Sequence, residues 1–125
     1  MQYLIILNDP PYGTERSYNG LRLANSLAKT EGTGVSVFLM GDAASCAVGG
    51  QVTPNGYYNI ERMLKIVASN GGNIGVCESC MDARGIQPEA LIEGAHRSSM
   101  DELTSWTQEA DRVIVFWLQP TAGPS

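Results

Sequence analysis

The sequence predicts an α/β fold: a single three-layer α/β/α domain built on a mainly parallel sheet of about five strands. Two observations carry that prediction. Short apolar runs rich in β-branched residues (YLIIL, VSVFLM, NIGVC and VIVFWL) alternate with segments whose apolar residues recur at helical spacing, and Gly, Pro or Asn stands between them. Strands that alternate with helices in this way build a parallel sheet with helices packed on its faces. At 125 residues the chain can bury roughly two-thirds of its unfolded surface, so packing suffices without disulfide staples. The domain is expected over 1–118, with 119–125 a loose tail, because LQPTAGPS is rich in Pro, Gly and Ser.

The elements follow in order. Tyr3 to Leu7 forms a first strand, closed by NDPPYG, whose adjacent prolines forbid continuation as helix or central strand. From about Glu15 to Lys29, Tyr18, Leu21, Leu23, Ala24, Leu27 and Ala28 keep helical spacing until EGTG stops the helix. Val35 to Met40 is a second strand ending in Gly-Asp. The segment GDAASCAVGGQVTPNGYYN then holds too many Gly, Pro and Asn residues for one regular element, and connections of that length often serve function.

A second helix is expected from about Tyr58, with Ile60, Met63, Leu64, Val67 and Ala68 on one face and SNGG as its stop. NIGVC is a third strand. Beyond it, RGIQPEALIEGA predicts a break, a short helical turn and a small strand at Leu91 to Glu93. Ser99 and Glu102 make a capping-box pattern for a last helix bearing Met100, Leu103, Trp106 and Ala110. DRVIVFWL is long and apolar enough for a closing strand buried on both faces, and Trp106 and Trp117 fit core faces.

Composition narrows the function. A net charge of -5, from 13 acidic and 8 basic side chains without a Lys/Arg cluster, gives neither nucleic acid nor an anionic membrane a foothold. No apolar run reaches bilayer length, MQYLIILNDPP lacks a basic leader and a cleavage site, and three cysteines argue against a secreted disulfide framework. The expected setting is a reducing cytoplasm.

In a parallel sheet the loops after the first three strands emerge at one edge, where open α/β proteins commonly bind ligands. Those loops are NDPPYG, GDAASCAVGG and CESC. They bring forward Cys77 and Cys80, with Asn8, Tyr12, Asp42 and Cys46 as candidate pocket residues. Loop-shaping beside Pro10 and Pro11 accounts equally well for Asn8 and Tyr12, turn-capping for Asp42, and an ordinary loop position for Cys46.

Four chemistries are open to the Cys77/Cys80 pair: burial as small apolar side chains, zinc binding, dithiol redox cycling, or sulfur carriage as a persulfide. Zinc would need Cys46 and the sole histidine, His96, as further ligands, and no second paired motif supplies them; no metal or other cofactor is expected. Redox cycling draws on the C-x-x-C spacing, while Glu78 between the cysteines opposes a thiolate. Arg84 lies four residues after Cys80 and seven after Cys77, so a helical turn would place all three on one face, where the guanidinium could favour a sulfur anion. A solvated surface arginine ahead of Gly85 fits that spacing equally well.

The motifs NDPPYGTERSYNGLRLANSLA, VFLMGDA, GYYNIERML, VCESCMDARGI and LIEGAHRSSMDELTSW, in that order, resemble the DsrE/DsrF-like family, which includes sulfur-relay proteins. The resemblance implies the same α/β fold and a homo-oligomer, commonly a trimer or hexamer. It also implies that Cys77, with Arg84 and Gly85 downstream, carries sulfane sulfur as a persulfide between donor and acceptor proteins or small thiols. Cys80 departs from the relay pattern, where a small residue is usual, and resembles a C-x-x-C branch in which the second thiol could resolve the persulfide. The alternatives are a non-catalytic oligomeric binding domain and a dithiol oxidoreductase.

Overall fold

The computed structural model describes residues 1–117. The expected tail, 119–125, lies outside them. Five strands, β1 (Gln2–Leu7), β2 (Gly34–Leu39), β3 (Asn73–Cys77), β4 (Ala95–Ser98) and β5 (Arg112–Phe116), form one sheet in the order β4-β3-β2-β1-β5. Every neighbouring pair is parallel. The helices are α1 (Arg16–Ala28), α2 (Ile60–Ser69), the short α3 (Glu78–Ala83) and α4 (Met100–Glu109).

Register divides the sheet's side chains between two cores. Ile5, Leu7, Val35, Val37, Leu39, Ile74 and Val76 are buried with Leu21 and Ala24 of α1, Ile60, Leu64 and Val67 of α2, and Met81 of α3. The alternate residues Leu4 and Phe38 are buried against Leu103 of α4, with Ile6, Met40, Cys77 and Trp106 packed around them. One sheet face therefore carries three helices and the other a single helix, which completes the three layers.

Local chemistry sets the helix starts. Asn59 accepts from the Arg62 amide at 3.1 Å, so α2 begins at Ile60, two residues later than the apolar pattern suggested. Ser99 accepts from the Glu102 amide at 3.2 Å, as the capping-box pattern predicts. The long connection after β2 opens as a 3-10 helix, Gly41–Ala47, and Gln51 ties down the rest. The Gln51 amide nitrogen donates to the carbonyls of Cys46 and Val48, and its oxygen accepts from Tyr12 Oη and the Glu61 amide.

Two expectations need correction. The fourth strand is not at Leu91 to Glu93; Leu91 makes only an isolated antiparallel bridge to Val48, and the strand runs over the more polar AHRS. Neither is the closing strand buried on both faces: β5 is an edge strand with Val113 41%, Val115 47% and the following Trp117 49% exposed. Its register with Leu4 and Ile6 places Val113 and Val115 on the face that α4 only partly covers. Trp117 accordingly fills no core position, whereas Trp106 does pack beneath α4.

Candidate functional site

Cys77 ends β3 and is the N-cap of α3, so the pair straddles a strand-to-helix junction. Two residues earlier the strand carries Gly75, where a Cβ would stand only 3.1 Å from Phe38 and Trp106; those rings pack directly onto the backbone leading to Cys77. Cys77 and Cys80 are both free and partly buried. Cys77 packs toward the α4 side and Cys80 toward the core shared by α1, α2 and α3.

The two thiols are driven in opposite directions. Partial burial pushes the Cys77 thiol up, but hydrogen bonds from the Cys80 thiol, the Ser79 hydroxyl and the backbone amides of both residues prevail and hold it below its ordinary value. The Ser79 Oγ lies 3.4 Å from the sulfur. Cys80 is raised by burial and by its bond to Cys77, against the Gly41 amide, which donates to its sulfur at 3.1 Å, and the Arg84 charge. Of the two, Cys77 is the thiol whose anion is favoured by its surroundings.

Arg84 stands beside Cys80, as its spacing suggested, and its charge acts on that thiol. Its guanidinium donates to the Cys80 carbonyl at 3.0 Å and to Asp42 Oδ1 at 2.7 Å, fastening the end of α3 to the 3-10 helix. The cation on the Cys77 side is Arg97, which sequence reasoning missed. It donates through both terminal nitrogens to Asp82, at 2.7 and 3.1 Å, and to the Glu78 carbonyl at 3.4 Å. Its charge is favoured first by the bond to Asp82 and further by the fields of Glu78 and Cys77. The Glu78 charge between the cysteines therefore has a local counter-charge. Placing the fourth strand at Ala95–Ser98 would have revealed it, because Arg97 is then in register with Val76, one residue before Cys77.

Of the four candidate pocket residues, Asp42 stands beside the Cys80 turn, and the other three have structural partners of their own. Asn8 donates from its backbone and side chain to the Phe116 carbonyl, at 3.2 and 3.4 Å, strapping β1 to β5. Tyr12 holds the Gln51 loop and stacks on Tyr58, ring centroids 5.7 Å apart. Asp42 pairs with Arg84 near Cys80. Cys46 is a correction: it is wholly buried, its sulfur 3.7 Å from the Asp9 carbonyl, and burial chiefly pushes its thiol up to about 12. It is a core residue, closed to solvent.

His96 on β4 is bound to Glu102, which also accepts from Ser98 Oγ, and the imidazole meets Trp106 edge-on with centroids 5.9 Å apart. Among the described residues no group of three or more His, Cys, Asp or Glu side chains is placed to hold a metal. A cavity of about 160 Å³ lies at the opposite edge of the sheet, between the start of β1 and the end of α4, away from the cysteines. Among the described residues no helix is long and apolar enough to cross a membrane.

The chain is thus a parallel five-stranded α/β domain with two free cysteines at the end of its third strand. The chain belongs to the DsrE/DsrF-like family, whose sequence profile matches residues 1–116. It is 39% identical over 114 residues to Protein YchN of Escherichia coli K12, covering 90% of this chain and 97% of that one. The uncharacterized protein MJ0989 of Methanocaldococcus jannaschii is 36% identical over 116 residues, covering 93% of this chain and all of that one. The crystal structure of the Escherichia coli ychN protein superposes with a TM-score of 0.85 at 39% identity, over 93% of this chain and 100% of that one. A Methanobacterium thermoautotrophicum protein of unknown function, MTH1491, shares the fold at 14% identity, with a TM-score of 0.68 over 91% of this chain and 96% of that one.

Proposed function

We propose that this chain is a sulfur-handling protein that accepts sulfane sulfur on Cys77 as a persulfide. The family is associated with sulfur relay, and one observation favours this chemistry here: Cys77 is held below the ordinary thiol range by donors built into its own turn. In the reaction the Cys77 thiolate attacks the outer sulfur of a donor persulfide, the donor's sulfur–sulfur bond breaks, and the donor leaves as its thiolate. Donor and acceptor are proteins or small thiols, and the free cysteines suit a reducing cytoplasm.

The Cys80→Ser protein tests this reading, because it removes the neighbouring thiol while keeping a hydrogen-bond donor beside Cys77. Incubated with glutathione persulfide, it is expected to gain one sulfur atom by intact mass. No added sulfur, or equal loading of a Cys77→Ser/Cys80→Ser double variant, would refute the proposal.

We further propose that the chain works as a homo-oligomer that covers the α4-side face of the sheet. Val113, Val115 and Trp117 are exposed there beside the partly covered Ile6, on the strand that ends the sheet among the described residues.

A further inference from the structure

We propose that Cys80 resolves the Cys77 persulfide, so that this chain releases the sulfur it accepts as hydrosulfide and is left with a Cys77–Cys80 disulfide. The inference rests on the persulfide reading above and adds the fate of the sulfur. Three placements support it. Cys77 and Cys80, both free, face each other across the β3–α3 junction only three residues apart, Cys77 as the N-cap of α3 and Cys80 in its first turn. The Gly41 amide fixes the Cys80 sulfur from the other side at 3.1 Å. Arg84, bonded both to the Cys80 carbonyl and to Asp42, ties the turn bearing Cys80 to the 3-10 helix that supplies Gly41.

The step balances within the chain. The Cys80 proton passes to the outer sulfur of the Cys77 persulfide anion, and the resulting Cys80 thiolate attacks Cys77 Sγ. The bond from Cys77 Sγ to the outer sulfur breaks, and HS⁻ departs. The sulfane sulfur is reduced and the two cysteine sulfurs are oxidised to a disulfide. Return to the dithiol form requires an external dithiol reductant, which the next thiol–disulfide exchange consumes.

Magnitudes decide between resolution and hand-over. A group tethered even by a flexible linker acts at millimolar effective concentration, and a well-oriented one at up to roughly 10⁵ M or more. Cys80, three residues away and with its sulfur held by the Gly41 amide, outcompetes any acceptor protein present at micromolar levels. Gly41 and Cys80 therefore favour an end point of sulfur transfer over a shuttle.

The test is a single-turnover reaction of the full chain with glutathione persulfide and no added reductant, following sulfide release and intact mass. Wild type is expected to give one sulfide per chain and a Cys77–Cys80 disulfide, at least about 100-fold faster than Cys80→Ser, which retains its extra sulfur. Wild type that keeps an added sulfur and releases sulfide no faster than Cys80→Ser would overturn the inference while leaving the carrier reading intact. Failure of Cys80→Ser to take up sulfur at all would instead overturn the carrier reading, and this inference with it.

Discussion

Cys77 and Cys80 are the same residue type three positions apart, yet their surroundings separate them. The Cys77 anion collects donors from its own turn, while Cys80 loses solvation and donates to its neighbour. Alkylation should therefore label Cys77 first, with a rate-against-pH midpoint below the ordinary thiol value of about 8.5. Cys80→Ala, which deletes one of the donors, should move that midpoint upward; an unmoved midpoint would contradict the hydrogen-bonded account. Cys46 should stay unlabelled until the protein unfolds, because its sulfur is sealed in the core. The cysteine pair itself was legible in the sequence. Its charge partners were legible only in part: spacing put Arg84 beside Cys80, where it also binds Asp42, but Arg97, from another strand, stands on the Cys77 side.

Among the elements, the strands and helices with strong apolar periodicity stood close to where the pattern put them, because burial of one face decides both. β4 escaped for the opposite reason. AHRS has only Ala95 and Ser98 turned inward, and its His96 and Arg97 bond to Glu102 and Asp82, so an apolar criterion favoured Leu91 to Glu93 instead. β3 depends on the missing side chain at Gly75. Gly75→Ala should cost about 1–3 kcal/mol in denaturant unfolding, since its Cβ would press on Phe38 and Trp106 at 3.1 Å. At the start of α2, Asn59→Ala should cost about 1 kcal/mol by losing the bond to the Arg62 amide. A change below a few tenths in either case would contradict the packing or capping described.

For the whole molecule, the fold class and the parallel order were readable from alternating patterns, but the exposure of β5 was not. VIVFWL reads as a doubly buried strand, and an isolated chain leaves its Val113, Val115 and Trp117 in water. If further copies cover that face, Val115→Lys should reduce the mass measured by light scattering after size-exclusion chromatography, with the circular dichroism unchanged. An unchanged mass would move the interface elsewhere. Acid should weaken the α3–β4 connection: Arg97 holds the Asp82 carboxyl below its usual range, so that contribution is present above the unfolded value near pH 3.9 and disappears as pH falls through the lower folded value. Arg97→Gln should remove that part of the acid dependence.

The most direct measurement is peptide-level mass spectrometry of the Cys80→Ser protein after exposure to glutathione persulfide. The extra sulfur should lie on the peptide containing Cys77, with the Cys46 peptide unmodified. Sulfur distributed equally over both, or found on neither, would contradict a sulfur-accepting thiolate at the end of β3.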